Sequence, residues 1–299
     1  MEFDTLIDAS TLRALIGTPD SPSQLVIFDC RFDLTAPDAG RRMYLEGHIP
    51  TARYVDLNRD LSAPVSGASG RHPLPAPERM AARFRELGVR DRSQVVVYDE
   101  VNGSFAARAW WLLRWLRHSR VALLDGGMRA WRAAGGAVET GGTVEQAVSP
   151  QAAPPRADSS RPTPSPEVDS HAVVGSAELV GLLREGRGLL VDARAPERFA
   201  GTVEPIDAVA GHVPGAVNHP FSANLRDDGR FLPAAELERR WRERLGGVSP
   251  ADTIAMCGSG VTACHNLLAM EIAGLSGAKL YAGSWSEWIR DPERPIVRE

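Results

Sequence analysis

Thr253-Ile254-Ala255-Met256-Cys257-Gly258-Ser259-Gly260-Val261-Thr262-Ala263 decides how this chain is read. A short apolar run ends in a cysteine, two glycines permit a tight turn, and a helix-like run follows over 262–273. The pattern is strand, loop, helix, with a thiol at the strand end and at the mouth of a helix N-terminus. Backbone N–H groups of such a turn can converge on one point as an anion-binding nest, and the helix dipole adds partial positive charge there. Both favour thiolate over thiol, and the thiolate is the nucleophile. The plainer alternative is an ordinary strand–turn–helix with a buried cysteine, because free cysteine behaves as a small core hydrophobe.

Outward from this stretch, the chain repeats itself once at long period. Val95-Val96-Val97-Tyr98-Asp99 is the earlier counterpart of Thr253-Ile254-Ala255-Met256-Cys257, at an offset of 158 residues. Phe28-Asp29-Cys30-Arg31 pairs with Val191-Asp192-Ala193-Arg194 at 163, and Gly47-His48-Ile49-Pro50 with Gly211-His212-Val213-Pro214 at 164. Gly126 with Trp131 pairs with Gly283 and Trp288 at 157. Apolar runs at 25–28, 94–98, 121–124, 189–191 and 254–256 read as short buried strands. Helix-like stretches lie between them at 76–87, 104–116, 177–184, 234–245 and 262–273. Alternation of this kind predicts an α/β fold with a parallel sheet in each half and helices on both faces. The histidines of the Gly-His-Ile/Val-Pro elements are read as turn residues rather than catalysts. A stretch from about 141 to 169, rich in Pro, Ser, Ala and Gly, reads as a connecting segment. The expected division is 1–142, a linker at 143–168, and 169–299.

Composition narrows the function. The chain has 299 residues, enough for two domains, and 43% hydrophobic residues supply their cores. A net charge of −4 argues against a general nucleic-acid partner. No apolar run approaches the ~20 residues of a bilayer span, so no membrane partner is expected. Cys30, Cys257 and Cys264 form no CxxC pair and no zinc-ligand spacing. Their odd number, and a start without a basic leader region, point to a reducing, cytoplasmic setting. Cys264 is read as helix packing and Cys30 as core. Trp110, Trp111, Trp115 and Trp131 fit helix faces.

The run from Cys257 to Thr262 resembles the active-site loop of the rhodanese-like sulfurtransferases, in the form carried by those that use 3-mercaptopyruvate. Thiosulfate-preferring relatives place basic residues directly after the cysteine, where this chain has the neutral Gly258 and Ser259. The repeat resembles the tandem rhodanese-like architecture over nearly the full chain, with a catalytic second half and a silent first half. Asp99, in the place matching Cys257, cannot hold a persulfide.

The resemblance implies that Cys257 attacks the donor sulfur, releases pyruvate and carries a persulfide to a thiol, cyanide or thioredoxin-like acceptor, with no metal or organic cofactor. It implies that Gly258, Ser259, Gly260, Val261 and Thr262 hold the persulfide, although Thr262 could instead cap the helix. Arg198, in Glu197-Arg198-Phe199, matches the arginine that binds the donor carboxylate; a surface ion pair is its alternative. The family's second arginine is missing, since 200–210 contains no basic residue. Arg71, Arg53 or Arg108 from the first half are the replacements considered. Ser259 and His72 match a proton-handling array whose acid falls at Asn58, with Asp60 the nearest carboxylate; polar contacts between the halves are the alternative. Three other functions stay open: thiosulfate:cyanide sulfur transfer, a non-enzymatic sulfur relay, and a cysteine phosphatase, which would need an arginine that 258–263 lacks.

Overall fold

The computed structural model describes residues 2–16, 25–142 and 166–299. Most of the expected linker, 143–165, lies outside the described residues. The first half builds five parallel strands, β1 (Leu6–Ile7), β2 (Leu25–Asp29), β3 (Arg53–Tyr54), β4 (Gln94–Tyr98) and β5 (Val121–Leu124), in the order β1-β5-β4-β2-β3. Its helices are α1 (Ala9–Ile16), α2 (Ala39–Glu46), α3 (Pro77–Glu86), α4 (Ala106–Trp115) and α5 (Gly127–Ala133). The second half builds β6 (Leu189–Asp192), β7 (Val217–Asn218), β8 (Thr253–Met256) and β9 (Lys279–Leu280), in the parallel order β7-β6-β8-β9. Its helices are α6 (Ser176–Arg184), α7 (Pro196–Ala200), α8 (Ala234–Leu245), α9 (Thr262–Ile272) and α10 (Ser284–Trp288).

Local sequence explains these choices. Pro77 and Pro196 open α3 and α7, where a missing N–H is harmless and the fixed φ suits the first turn. In α8, Leu237, Trp241 and Leu245 recur every fourth residue and are buried, while arginines and glutamates cover the other face. β4 is buried along its whole length, as a central parallel strand covered on both faces must be.

Strand alternation divides the core. Val95 and Val97 pack into a core that also takes Ala255, Cys257 and residues of α4 and α9 from the two halves. Val96 and Tyr98 face a separate outer core of the first half, and Ile254 and Met256 one of the second. The two sheets therefore share one continuous apolar layer built on α4 and α9, which fixes the halves against each other. No helix among the described residues is long and apolar enough to cross a membrane.

Candidate active site

The same alternation aims the thiol. Cys257 follows Ala255 by two residues, so its side chain points into the layer between the halves, where it is 2% exposed. Three hydrogen bonds from the start of α10 hold the loop base. Cys257 N–H donates to Ser284 Oγ at 3.0 Å, Trp285 N–H donates to Cys257 O at 2.9 Å, and Ser286 N–H donates to Gly258 O at 2.9 Å. Ser284 makes its contact from a left-handed conformation, φ 52°, and its hydroxyl donates to Tyr281 O at 2.9 Å. In the first half Gly127 takes the matching place, also left-handed.

Gly260 shapes the loop itself. Its φ is +76°, and a Cβ there would stand 2.4 Å from Ala282 O. In this pose Gly260 N–H donates to Cys257 Sγ at 3.1 Å. It is the one loop N–H among the described residues that reaches the thiol sulfur, fewer than the five-residue cradle the sequence suggested. Arg108 Nη1, at 3.1 Å, and Cys264 Sγ, at 3.3 Å, both donate to Gly260 O and pin it from behind. Thr262 opens α9 but does not cap it: Val261 occupies the cap position, without a side-chain cap bond.

The first half shows what such a loop does with an anion. The Asp99 carboxylate accepts from the N–H groups of Val101 (3.2 Å), Gly103 (2.9 Å), Phe105 (3.0 Å) and Ala106 (3.3 Å). Burial pushes its carboxyl above the ordinary range, and those four donors oppose the shift.

His72 crosses from the first half and meets Ser259: Nδ1 lies 2.7 Å from Ser259 Oγ. Burial, with Arg108 and Arg71 nearby, pushes the imidazole down to about 3, so it is neutral at physiological pH. The expected acid does not join this pair. Asp60 accepts from Asp56 N–H at 2.7 Å and from Arg83 Nε at 2.9 Å, because the arginine of α3 captures its carboxylate.

Cys257 opens onto a cavity of about 250 Å³ lined by residues of both halves, including Arg71, His72, Phe105, Arg194 and Arg198. Arg198 donates through Nε to both oxygens of Glu204, at 3.0 and 3.1 Å, and through Nη2 to Asp207 Oδ2 at 2.9 Å. Arg71 pairs with the other Asp207 oxygen. A Cβ on Gly258 would stand 2.8 Å from Arg71 Nη2 and 3.5 Å from Arg198 Nη2. Guanidinium groups thus lie against the residue next to the nucleophile, supplied from outside the loop and paired with carboxylates. Of the other replacements considered, Arg108 is buried behind the loop and Arg53 lies against Gly88.

Glu204, Asp207, Arg194 and Ser284 were not singled out from sequence. Arg194 and Ser284 sit in repeated landmarks, Asp192-Ala193-Arg194 and Gly283-Ser284-Trp285, which was a usable signal. The two acids lie in the very run searched for a basic residue. Among the described residues no group of three or more His, Cys, Asp or Glu is placed to hold a metal ion.

The chain matches the rhodanese-like domain family twice, over residues 8–134 and 176–291. It is 48% identical over 299 residues to a Pseudomonas aeruginosa protein named probable 3-mercaptopyruvate sulfurtransferase, covering 99% of both chains. It is 32% identical over 310 residues to an Arabidopsis thaliana thiosulfate/3-mercaptopyruvate sulfurtransferase, covering 98% of this chain and 78% of that one. The crystal structure of SseA from Escherichia coli, described as a 3-mercaptopyruvate sulfotransferase, superposes with a TM-score of 0.74 at 32% identity, covering 95% of this chain and 100% of the other.

Proposed function

The chain belongs to the rhodanese-like sulfurtransferase family, with one such domain in each half, and on that premise we propose that it takes sulfur from 3-mercaptopyruvate through a persulfide on Cys257. The observation that carries this reading is the thiol held by Gly260 N–H at 3.1 Å, beside two guanidiniums at Gly258.

The Cys257 thiolate attacks the mercapto sulfur of the donor and a sulfur–sulfur bond forms. The donor's carbon–sulfur bond breaks, and its electron pair passes to carbon as the enolate of pyruvate. The mercapto proton then moves to that carbon, giving pyruvate and a Cys257 persulfide anion. Ser259 and neutral His72 are the groups at hand to relay it. A thiol, cyanide or thioredoxin-like acceptor takes the outer sulfur in a second step, which is ping-pong covalent catalysis. Arg198 and Arg71 orient the donor carboxylate, for which a planar guanidinium offers two parallel hydrogen bonds. The Gly260 N–H, already at the sulfur, receives the persulfide charge together with whichever N–H groups of 258–262 the added outer sulfur reaches, and the occupied nest around Asp99 supports that role by analogy.

We assign 1–142 to a silent half, 143–168 to the connection and 169–299 to the catalytic half. The three free cysteines support a reducing, cytoplasmic setting. Thiosulfate is the second donor reading, favoured by one observation: Arg71 brings the positive charge that Gly258 and Ser259 lack. Steady-state rates with each donor, using a thiol and then cyanide as acceptor, test the choice. Higher kcat/KM for 3-mercaptopyruvate, with pyruvate released, is expected; higher kcat/KM for thiosulfate would install the second reading.

A further inference from the structure

We infer that Asp207 sets donor affinity by occupying the arginine pair that receives the donor's carboxylate. The inference rests on the donor reading above, and it names the residue that makes this site differ from an open arginine fork.

Three guanidiniums that line the cavity, those of Arg71, Arg194 and Arg198, meet three buried carboxylates. Arg194 pairs with Asp192 at 2.7 Å and stands 3.5 Å from Glu204, Arg198 pairs with Glu204 and Asp207, and Arg71 pairs with Asp207. The cluster is charge-balanced without any ligand. The Asp207 side chain is 3% exposed, and its two oxygens are divided between Arg71 of the first half and Arg198 of the second. A donor carboxylate bridging the same arginines would use the same contacts.

Glu204 and Asp207 are held differently. The Glu204 carboxylate accepts from Arg198 and also from the N–H groups of Ile206, at 3.1 Å, and Asp207, at 3.0 Å, so it is tied to its own loop. Those donors, Arg198 above all, keep it ionised below the ordinary range against the opposing effect of burial. Among the described residues, the Asp207 carboxylate has only the two guanidiniums as hydrogen-bond partners. It can leave them by side-chain rotation while Glu204 keeps the loop in place. Arg71 Nε is meanwhile buried without a hydrogen-bond acceptor among the described residues, and Arg194 Nη1 has only the 3.5 Å approach of Glu204, so the cluster carries a spare donor on a cavity-lining residue.

Donor binding at this site therefore exchanges one carboxylate for another. The donor gains only the difference between its own contacts with the arginines and those of Asp207, and affinity is low by construction. Because Asp207 acts through Arg71 and Arg198 and touches no reacting atom, its effect falls on binding and leaves the chemical step alone.

The test is a single-turnover measurement of pyruvate release from 3-mercaptopyruvate, over a range of donor concentrations, in wild type, Asp207→Asn, Asp207→Ala and Asp207→Glu. Asp207→Asn and Asp207→Ala should lower the half-saturating concentration by about tenfold or more, the scale of one charged hydrogen-bond partner freed. The limiting rate should change by less than about twofold. Asp207→Glu should keep the wild-type value, and the constant for competitive inhibition by pyruvate should fall in parallel in the first two variants. Thermal unfolding identifies which variants remain folded, and either neutral variant suffices. An unchanged or raised half-saturating concentration in a folded neutral variant overturns the inference, as does a fall confined to the limiting rate. If wild type releases no pyruvate, the donor reading fails instead. The same series with thiosulfate, read as Cys257 persulfide, then tests Asp207 independently.

Discussion

Replacing Gly260 by alanine should damage the sulfur cradle through two separable effects. The first is conformational. Gly260 sits at φ +76°, and an added Cβ would meet Ala282 O at 2.4 Å, a backbone atom that cannot swing aside. A left-handed non-glycine residue costs ~1–2 kcal/mol before any clash is counted. The second is chemical. Relief of the clash moves the Gly260 peptide, whose N–H lies 3.1 Å from Cys257 Sγ. A hydrogen bond to a charged group contributes about 1.5–3 kcal/mol, so its loss lowers the rate of persulfide formation by about tenfold to a hundredfold. Arg108 and Cys264, both bonded to Gly260 O, resist the movement and convert part of it into lost stability. Chemical denaturation reads the first effect and single-turnover pyruvate release reads the second. A Gly260→Ala protein with wild-type stability and rate would refute the assignment of the cradle to this glycine.

Three other outcomes follow from the same geometry. Asp99→Ala leaves four N–H groups, two of them buried and two partly buried, without their acceptor and should cost ~3 kcal/mol or more in urea denaturation; a loss under ~1 kcal/mol contradicts the filled-nest reading. Burial holds His72 and His265 down to about 3 and His219 to about 4, whereas the unfolded chain takes up these protons near ~6.5. Their contribution is therefore complete above ~pH 6.5 and is lost as pH falls toward the folded values, by up to ~1.4 kcal/mol per pH unit for each histidine, and unfolding free energy that stays flat between about pH 7 and 5 sinks this point. Cys264 is buried with its thiol pushed up to about 12, so Cys264→Ser should retain most sulfur transfer, and loss of transfer in a folded variant would give Cys264 a chemical role.

Much of this was legible in the chain. β4, β5 and α8 run over the residues that the apolar pattern marked, because Gln94-Val95-Val96-Val97-Tyr98 is a buried strand over its whole length and α8 repeats its core positions every fourth residue. The landmark Asp29 with Arg31, echoed by Asp192 with Arg194, has a physical cause. Each arginine grips its own aspartate and reaches the carbonyl of the turn glycine, Gly47 at 2.7 Å and Gly211 at 2.8 Å. His48 and His212 act as turn residues, each with Nδ1 2.8 Å from a backbone carbonyl and its ring stacked on Tyr44 or Phe199. The two-residue strands β1, β3, β7 and β9 escaped notice because two residues carry no period. Arg198 and Arg71 were both named from the chain, but their shared carboxylate partner was hidden for another reason. Arg71 meets Asp207 across 136 residues of sequence, and a lone aspartate in a loop offers no pattern that would announce the contact.

The most direct test treats the protein with 3-mercaptopyruvate in the absence of acceptor, then weighs its cysteine peptides by mass spectrometry under non-reducing conditions. One added sulfur atom on the peptide that holds Cys257, matched by one pyruvate per chain and absent from Cys257→Ser, is the predicted result. Sulfur on Cys264 or Cys30, or pyruvate release that survives Cys257→Ser, would contradict the account.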